Sequence, residues 1–347
     1  MNFLLLAQDA ATNAIHVDET LSNLSDYAFR TSFGLYAAAL LFFLVFYASY
    51  RVPKHEVAGA TADGDEATAQ QGGNGSTVLT RSKSITDTGD EDRTSTAGTR
   101  WWRIGIMLTG AAFVFHAVSL VLRGVATSRM PLGNMYEFIS FTCALTVAVA
   151  FVALRKPAFR TAWPFVLAPI LILLFFGGTH LYTEAAPVVP ALQSYWLPIH
   201  VTIVSLGAAL FLPSGVASIL YLLRTWMPVG EEKGSFAGLV RPLPTGDVLD
   251  RVAYRTAIIG FPIFTVGIIL GAVWAEGAWG RFWGWDPKET VSFISWVIYA
   301  VYLHARATTG WGPSRAAWIN IIGFATTVFN LFFINLVTSG LHSYAGV

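Results

Sequence analysis

The chain reads as long apolar runs broken by short polar stretches. A bilayer core needs about 20 mostly apolar residues per helical span. Eight runs meet that requirement, at approximately 29–50, 104–122, 135–154, 162–179, 199–223, 256–274, 288–305 and 317–337. The pattern predicts an all-α fold: a polytopic membrane helix bundle of about eight transmembrane helices. Between the first two runs, residues 52–99 are rich in Gly, Thr, Ala, Asp and Ser and carry no apolar period. Such a segment cannot bury enough surface to fold alone and reads as a disordered loop. The expected organisation is therefore an N-terminal segment with the first helix (1–50), a disordered cytoplasmic loop (51–103) and a transmembrane domain (104–347). The N-terminus has one short apolar stretch (residues 3–7) and no basic flank, so it makes a poor signal peptide, and the first helix is expected to direct insertion.

Composition agrees. Of 347 residues, 54% are hydrophobic and 12% charged, against about 25% charge in a soluble domain. The net charge of +1 and the absence of a basic groove exclude a nucleic-acid binder. The single cysteine, Cys143, lies inside an apolar run and cannot form an intramolecular disulfide or a thiolate metal cluster. Charge also gives orientation. Of the 22 Lys and Arg, 17 fall in the alternate loops 51–103, 155–160, 224–255 and 306–315, and four (Arg123, Arg129, Arg281 and Lys288) fall on the other side. The positive-inside rule puts the first set in the cytoplasm and both termini outside.

The least ordinary stretch is 274–289. It holds four of the 12 tryptophans, Trp274, Trp279, Trp283 and Trp285, with Phe282 and interleaved glycines. Tryptophan is common at membrane interfaces, so an aromatic belt is the bland alternative. Belts, however, are scattered singly along helix ends. A Gly-spaced cluster in one loop offers stacking area to a large planar ligand. At the end of the loop, Asp286, Pro287 and Glu289 fit the N-cap, N1 and N3 of the seventh helix. Asn134 and Glu137 repeat that logic at the third.

Four of the seven histidines have informative places. His200 opens the fifth helix and His342 follows the eighth, both at the depth of the tryptophan loop. His116 lies within the second helix and His304 within the seventh. Ionisable groups inside spans are functional candidates, although a lone one can serve as a packing hydrogen-bonder. Imidazole is a common haem axial ligand. At about 1.5 Å per residue, His304 lies roughly 26 Å below Pro287 and His116 about 10 Å below Arg123. For both to reach one iron, the second helix must run to Ser128 and the first turns of the seventh must stand above the bilayer. Flat rings, paired histidines and the four flanking cations Arg123, Arg129, Arg281 and Lys288, among which an Arg fork suits a carboxylate best, match the needs of a flat, dianionic ligand such as haem.

These residues resemble a known family. Trp279-Gly-x-x-Trp283-x-Trp285-Asp286-Pro287-Lys288-Glu289 resembles the "WWD" signature of haem-handling membrane proteins. Pro131-Leu132-Gly133-Asn134-Met135-Tyr136-Glu137 resembles the P-L-S-N-x-Y-E segment of the CcsA/ResC type, also named CcsB, with Gly133 in place of Ser. Leu192-Gln193-Ser194-Tyr195-Trp196 with His200, Tyr302-Leu303-His304-x-Arg306, and Gly340-Leu341-His342-Ser343-Tyr344 add to the likeness, which covers about 110–347. WWD alone would also admit the CcmC and CcmF types. The resemblance implies cytochrome c maturation of the system II type at the plasma membrane, with the active face external. It implies haem b as the transported substrate, an apocytochrome c Cys-x-x-Cys-His segment and a ResB-type membrane protein as partners, and a place in a holocytochrome c synthase complex. By motif position, His116 and His304 would hold haem within the membrane, and His200 and His342 would bind its iron outside. Trp279, Trp283 and Trp285 would stack on the ring, while the thiol nucleophiles would come from the apocytochrome.

Two other readings use the same histidines: an electron carrier with permanent b-type bis-His haem, and a proton-coupled transporter using His116 and His304 as a relay. The first would bury both pairs, and the second leaves the tryptophan loop without a role. The topology itself is testable. Seven spans separate the 51–103 loop from the C-terminus, so a reporter after Val347 is expected outside and one inserted at Gly73 inside; finding both on one side would overturn the helix count.

Overall fold

A computed structural model describes residues 17–186, 188 and 190–342 apart from 50–95. The expected loop at 51–103 lies outside the described residues up to position 95. From Thr96 onward the chain is already helical. Eight long helices are present among the described residues: α1 Glu19–Ser49, α2 Thr96–Ala126, α3 Met135–Ala153, α4 Trp163–His180, α5 Trp196–Trp226, α6 Gly246–Trp279, α7 Pro287–Ala307 and α8 Pro313–Leu336. Each matches one expected run, and no strand occurs among the described residues. Seven are long and apolar enough to cross a membrane. The exception is α7, which is long enough but carries Lys288 and Glu289 at one end and His304 and Arg306 at the other.

The helices associate as antiparallel neighbours: α1 with α2, α5 with α6, and α7 with α8. Helices α3 and α4 join these pairs, α3 resting on α5 and α4 on α1. Lipid gives little hydrophobic drive for helix association, so small residues and internal hydrogen bonds do much of it. Along α5 and α6 the backbones nearly touch. A Cβ on Gly207 would meet the Phe264 backbone at 2.7 Å, and one on Gly267 would meet the Val204 backbone at 2.6 Å. Deeper in the bundle, the buried Asn320 of α8 donates to the hydroxyls of Ser214 (2.8 Å) and Ser218 (2.7 Å) on α5. Ser214 in turn donates to the Ala253 carbonyl of α6 at 2.7 Å.

Alternating helix direction gathers 127–134, 181–186, 190–195, 280–286 and 337–342 on one face. On that face the amide of Asp18, just before α1, donates to the Ala126 carbonyl at the end of α2. The other face is closed by the segment after α5. There the buried Arg224 holds the carbonyls of Val240 and Leu243 and pairs with Glu232 at 2.7 Å.

Substitution at the α5–α6 contact has a defined sign. Gly207→Ala and Gly267→Ala are expected to destabilise the fold by about 1–3 kcal/mol each through overpacking. Gly110→Ala meets nothing within 4 Å and is expected to be neutral or stabilising by about 0.5–1 kcal/mol. Thermal unfolding of the detergent-solubilised protein distinguishes the two classes.

Candidate functional site

Two of the helix starts on the loop-rich face are built alike. Asn134 caps α3, its Oδ1 accepting from the Glu137 amide at 2.9 Å. Glu137 turns back and accepts from the Gly133 amide at 2.7 Å. Asp286 caps α7 as a full capping box, accepting from the Lys288 amide, while Glu289 accepts from the Asp286 amide at 3.1 Å. Glu289 also accepts from the Gly284 amide at 2.9 Å. Each carboxylate draws in arginine. Arg123 (3.0 Å) and Arg129 (2.7 Å) both pair with Glu137, and Arg281 pairs with Glu289 at 3.2 Å. Arg123 is 2% exposed, reaches toward Asp26 at 3.6 Å and lies against Tyr136 and Tyr182. The three arginines expected to meet ligand carboxylates thus already hold protein ones.

The outer histidines converge on one cavity. His200 of α5 and His342, after α8, line one cavity of 560 Å³, within the range of about 300–1,000 Å³ typical of ligand sites. Its walls are mostly apolar, drawn from α3 to α8 and including Phe138, Phe176, Phe264, Phe282, Trp283 and Phe324. Each imidazole is fixed through Nδ1. His200 Nδ1 lies 2.9 Å from the Gly267 carbonyl, which can only accept. His342 Nδ1 lies 2.8 Å from Asp286 Oδ2. Both bonds put the proton on Nδ1 and the lone pair on Nε2, the arrangement that outer-shell acceptors impose on metal-ligating histidines. Burial pushes the His342 ring below its ordinary pKa, and the Lys288 charge adds to this against the pull of Asp286.

Trp274, counted in the tryptophan-rich stretch but given no role there, joins the two. It stacks on His200 (6.0 Å between ring centroids, 8° between planes) and meets His342 edge-on at 5.8 Å. The three tryptophans expected to form one stacking surface divide instead. Trp279 packs on Trp274 (4.7 Å) and His342 (4.9 Å). Trp283 lines the cavity. Trp285, at a positive φ of 58° and 66% exposed, packs edge-on to Trp283 and Phe293. Trp285 takes a left-handed backbone conformation, and its ring stands at 90° to that of Trp283.

His116 and His304 are not brought together. His116 is fully buried, its Nε2 2.9 Å from Ser140 Oγ and its ring edge-on to Phe29 and Tyr36. His304 is exposed in the last turn of α7, near the Thr308 hydroxyl. Helix α2 stops at Ala126 and α7 begins at Pro287 on the same face. Helix α2 thus runs four residues past its expected end, and the Thr127 and Ser128 amides still donate to Arg123 and Val125, yet His116 and His304 keep separate partners.

Asp286 also does more than its sequence position says. Besides capping α7 it accepts from the Leu341 amide at 2.8 Å and from His342. No local pattern could reveal this, since the partners are 55 and 56 residues away. Burial works to raise its pKa, but the bonds from His342 and Leu341 outweigh this and hold it below the ordinary carboxylate value. The sign of the linkage follows: a carboxylate with a depressed folded-state pKa stabilises the fold above its unfolded value, and that contribution is lost as pH falls through the folded one. Asp286→Asn places an amide NH₂ against at least one of these N–H donors and is expected to cost about 1–3 kcal/mol. It should also flatten the loss of stability below the ordinary carboxylate range. Unfolding measured from pH 7 downward checks both.

The family model for cytochrome C assembly proteins matches residues 132–342, a span that contains His200, His304, His342 and the whole tryptophan loop but not His116. A cytochrome c biogenesis protein CcsA from Mesostigma viride is 35% identical over 249 residues, covering 66% of this chain and 81% of that protein. One from Parasynechococcus marenigrum (strain WH8102) is 36% identical over 267 residues, covering 70% and 87%. A third, from Gloeobacter violaceus (strain ATCC 29082 / PCC 7421), is 33% identical over 274 residues, covering 65% and 81%. With these relatives matched over most of their length, and the family model over more than half of this chain, the chain belongs to the cytochrome c assembly proteins of the CcsA type.

Proposed function

We propose that this chain carries haem b across the plasma membrane and holds it at the outer face for attachment to apocytochrome c, together with a ResB-type membrane protein. One observation carries the reading: His200 on α5 and His342 in the turn after α8 open on a single, mostly apolar cavity, each with Nδ1 committed to a protein acceptor. That is the chemistry of a bis-imidazole iron site. The cation asymmetry supports an outward-facing mouth.

In this reading the protein binds and orients; the thioether chemistry belongs to haem and apocytochrome. The two imidazoles fix the iron, the aromatic walls exclude water, and the vinyl groups are presented to the Cys-x-x-Cys-His segment. Each cysteine thiol adds across a vinyl double bond, sulfur to the carbon next to the ring and hydrogen to the terminal one. The apocytochrome histidine then replaces one imidazole, releasing the product. The proposal rests on the outer pair alone, since Ser140 occupies His116 Nε2 and His304 lies near the opposite end of α7.

Replacing His200 or His342 by Ala is expected to lower holocytochrome c formation by at least about tenfold at unchanged protein abundance. Added imidazole should restore part of it by filling the vacated ligand position. The measurement is covalent haem in the reporter cytochrome, alongside the absorption spectrum of the purified protein. Wild-type cytochrome levels in both variants would sink the ligand assignment. Haem that co-purifies stoichiometrically and never transfers would favour a permanent electron carrier.

A further inference from the structure

The cavity contains one cation with no carboxylate of its own. Lys288, at the start of α7, is the one Lys or Arg lining it among the described residues. Its ammonium donates to Asn335 Oδ1 and sits 5.4 Å from the centre of the Phe138 ring. Among the described residues no carboxylate oxygen comes within ion-pair distance, and Asp286 acts on it only through space. The other acid on the wall, Glu289, is already satisfied by Arg281 and two backbone amides.

The lysine is also held in place. Asn335, which receives it, is buried and is anchored by its own Nδ2 to the carbonyls of Leu331 (2.6 Å) and Asn330 (3.3 Å). Lys288 shares a face of α7 with the cavity-lining Ser292 and Ser295, one and two turns along. An ammonium has three donors, and one is used by Asn335. A partly buried charge without a counter-ion is costly to keep, so an anion on the occupant would be gained at little further desolvation.

We infer that the Lys288 ammonium binds a carboxylate of the porphyrin and makes the cavity selective for a tetrapyrrole with free acid side chains; this deepens, and rests on, the haem reading above. The role expected from sequence for Arg281, Arg123 and Arg129 passes to the one Lys or Arg that lines the cavity among the described residues. Asn335 acts as a positioning residue through Lys288.

The test compares haem with its dimethyl ester, which keeps iron and ring but has no free carboxylate. Both are titrated into the purified full chain and referenced to protein-free micelles. The wild type is expected to bind haem roughly tenfold to a hundredfold more tightly than the ester, the range for a hydrogen bond to a charged group. Lys288→Gln should bring haem affinity down to that of the ester and leave the ester unchanged. Lys288→Arg should keep the preference. Because the readout is a ratio within one protein, a general loss of folding does not imitate it. Equal wild-type affinities, or a Lys288→Gln loss shared by both ligands, would overturn the inference while a bis-imidazole spectrum left the site itself standing. A haem spectrum insensitive to His200→Ala and His342→Ala would overturn the site and the role of Lys288 together.

Discussion

A single carboxylate ties the two ends of the candidate site together. Asp286 accepts from the first turn of α7, from the Leu341 amide and from the His342 ring. Without it, α7 would lose its cap and the His342 ring would lose its Nδ1 acceptor. With it, the turn after α8 is pinned to the start of α7, and the His342 ring is fixed both in direction and in tautomer. His200 obtains the same control from a backbone carbonyl, available only because Gly207 and Gly267 let α5 and α6 approach closely. One imidazole is thus set by charge and the other by packing.

Charge is handled with the same economy. Where water is scarce an unpaired ion is expensive, so buried charges are paired or bound. Glu137 gathers two arginines and Glu289 one, each carboxylate also serving its helix start. These pairs stiffen the loops that frame the cavity. Lys288 stands apart because its hydrogen-bond partner is a neutral amide, leaving positive charge facing a mostly apolar space.

Much of the fold was legible in the sequence. All eight apolar runs are helices, and the caps at Asn134 and Asp286 follow from residue type and spacing alone. Helix ends were less legible. The first helix starts at Glu19 rather than near 29, and the sixth at Gly246 rather than 256. Apolar length measures the part in hydrocarbon, whereas these helices continue into polar surroundings, where hydrogen bonding rather than greasiness sets the limit. The tryptophan loop was conspicuous by composition, but the division of labour among its rings was not, because it depends on the left-handed backbone at Trp285 and on contacts with Trp274 and the distant His342.

The sequence by itself determined what repeats locally: apolar span, cap, charge asymmetry, and hence which histidines share a face. Those properties act over one to a few turns and are written in neighbouring residues. Only the tertiary structure decided which side chains meet. It joined His342 to Asp286, set Trp274 between the two outer histidines, and drew three arginines onto carboxylates. It kept His116 beside Ser140, apart from His304. Each of these depends on the height and rotation of one helix against another. Packing and polar pairing across the whole bundle fix those two quantities, and no stretch of sequence encodes them on its own.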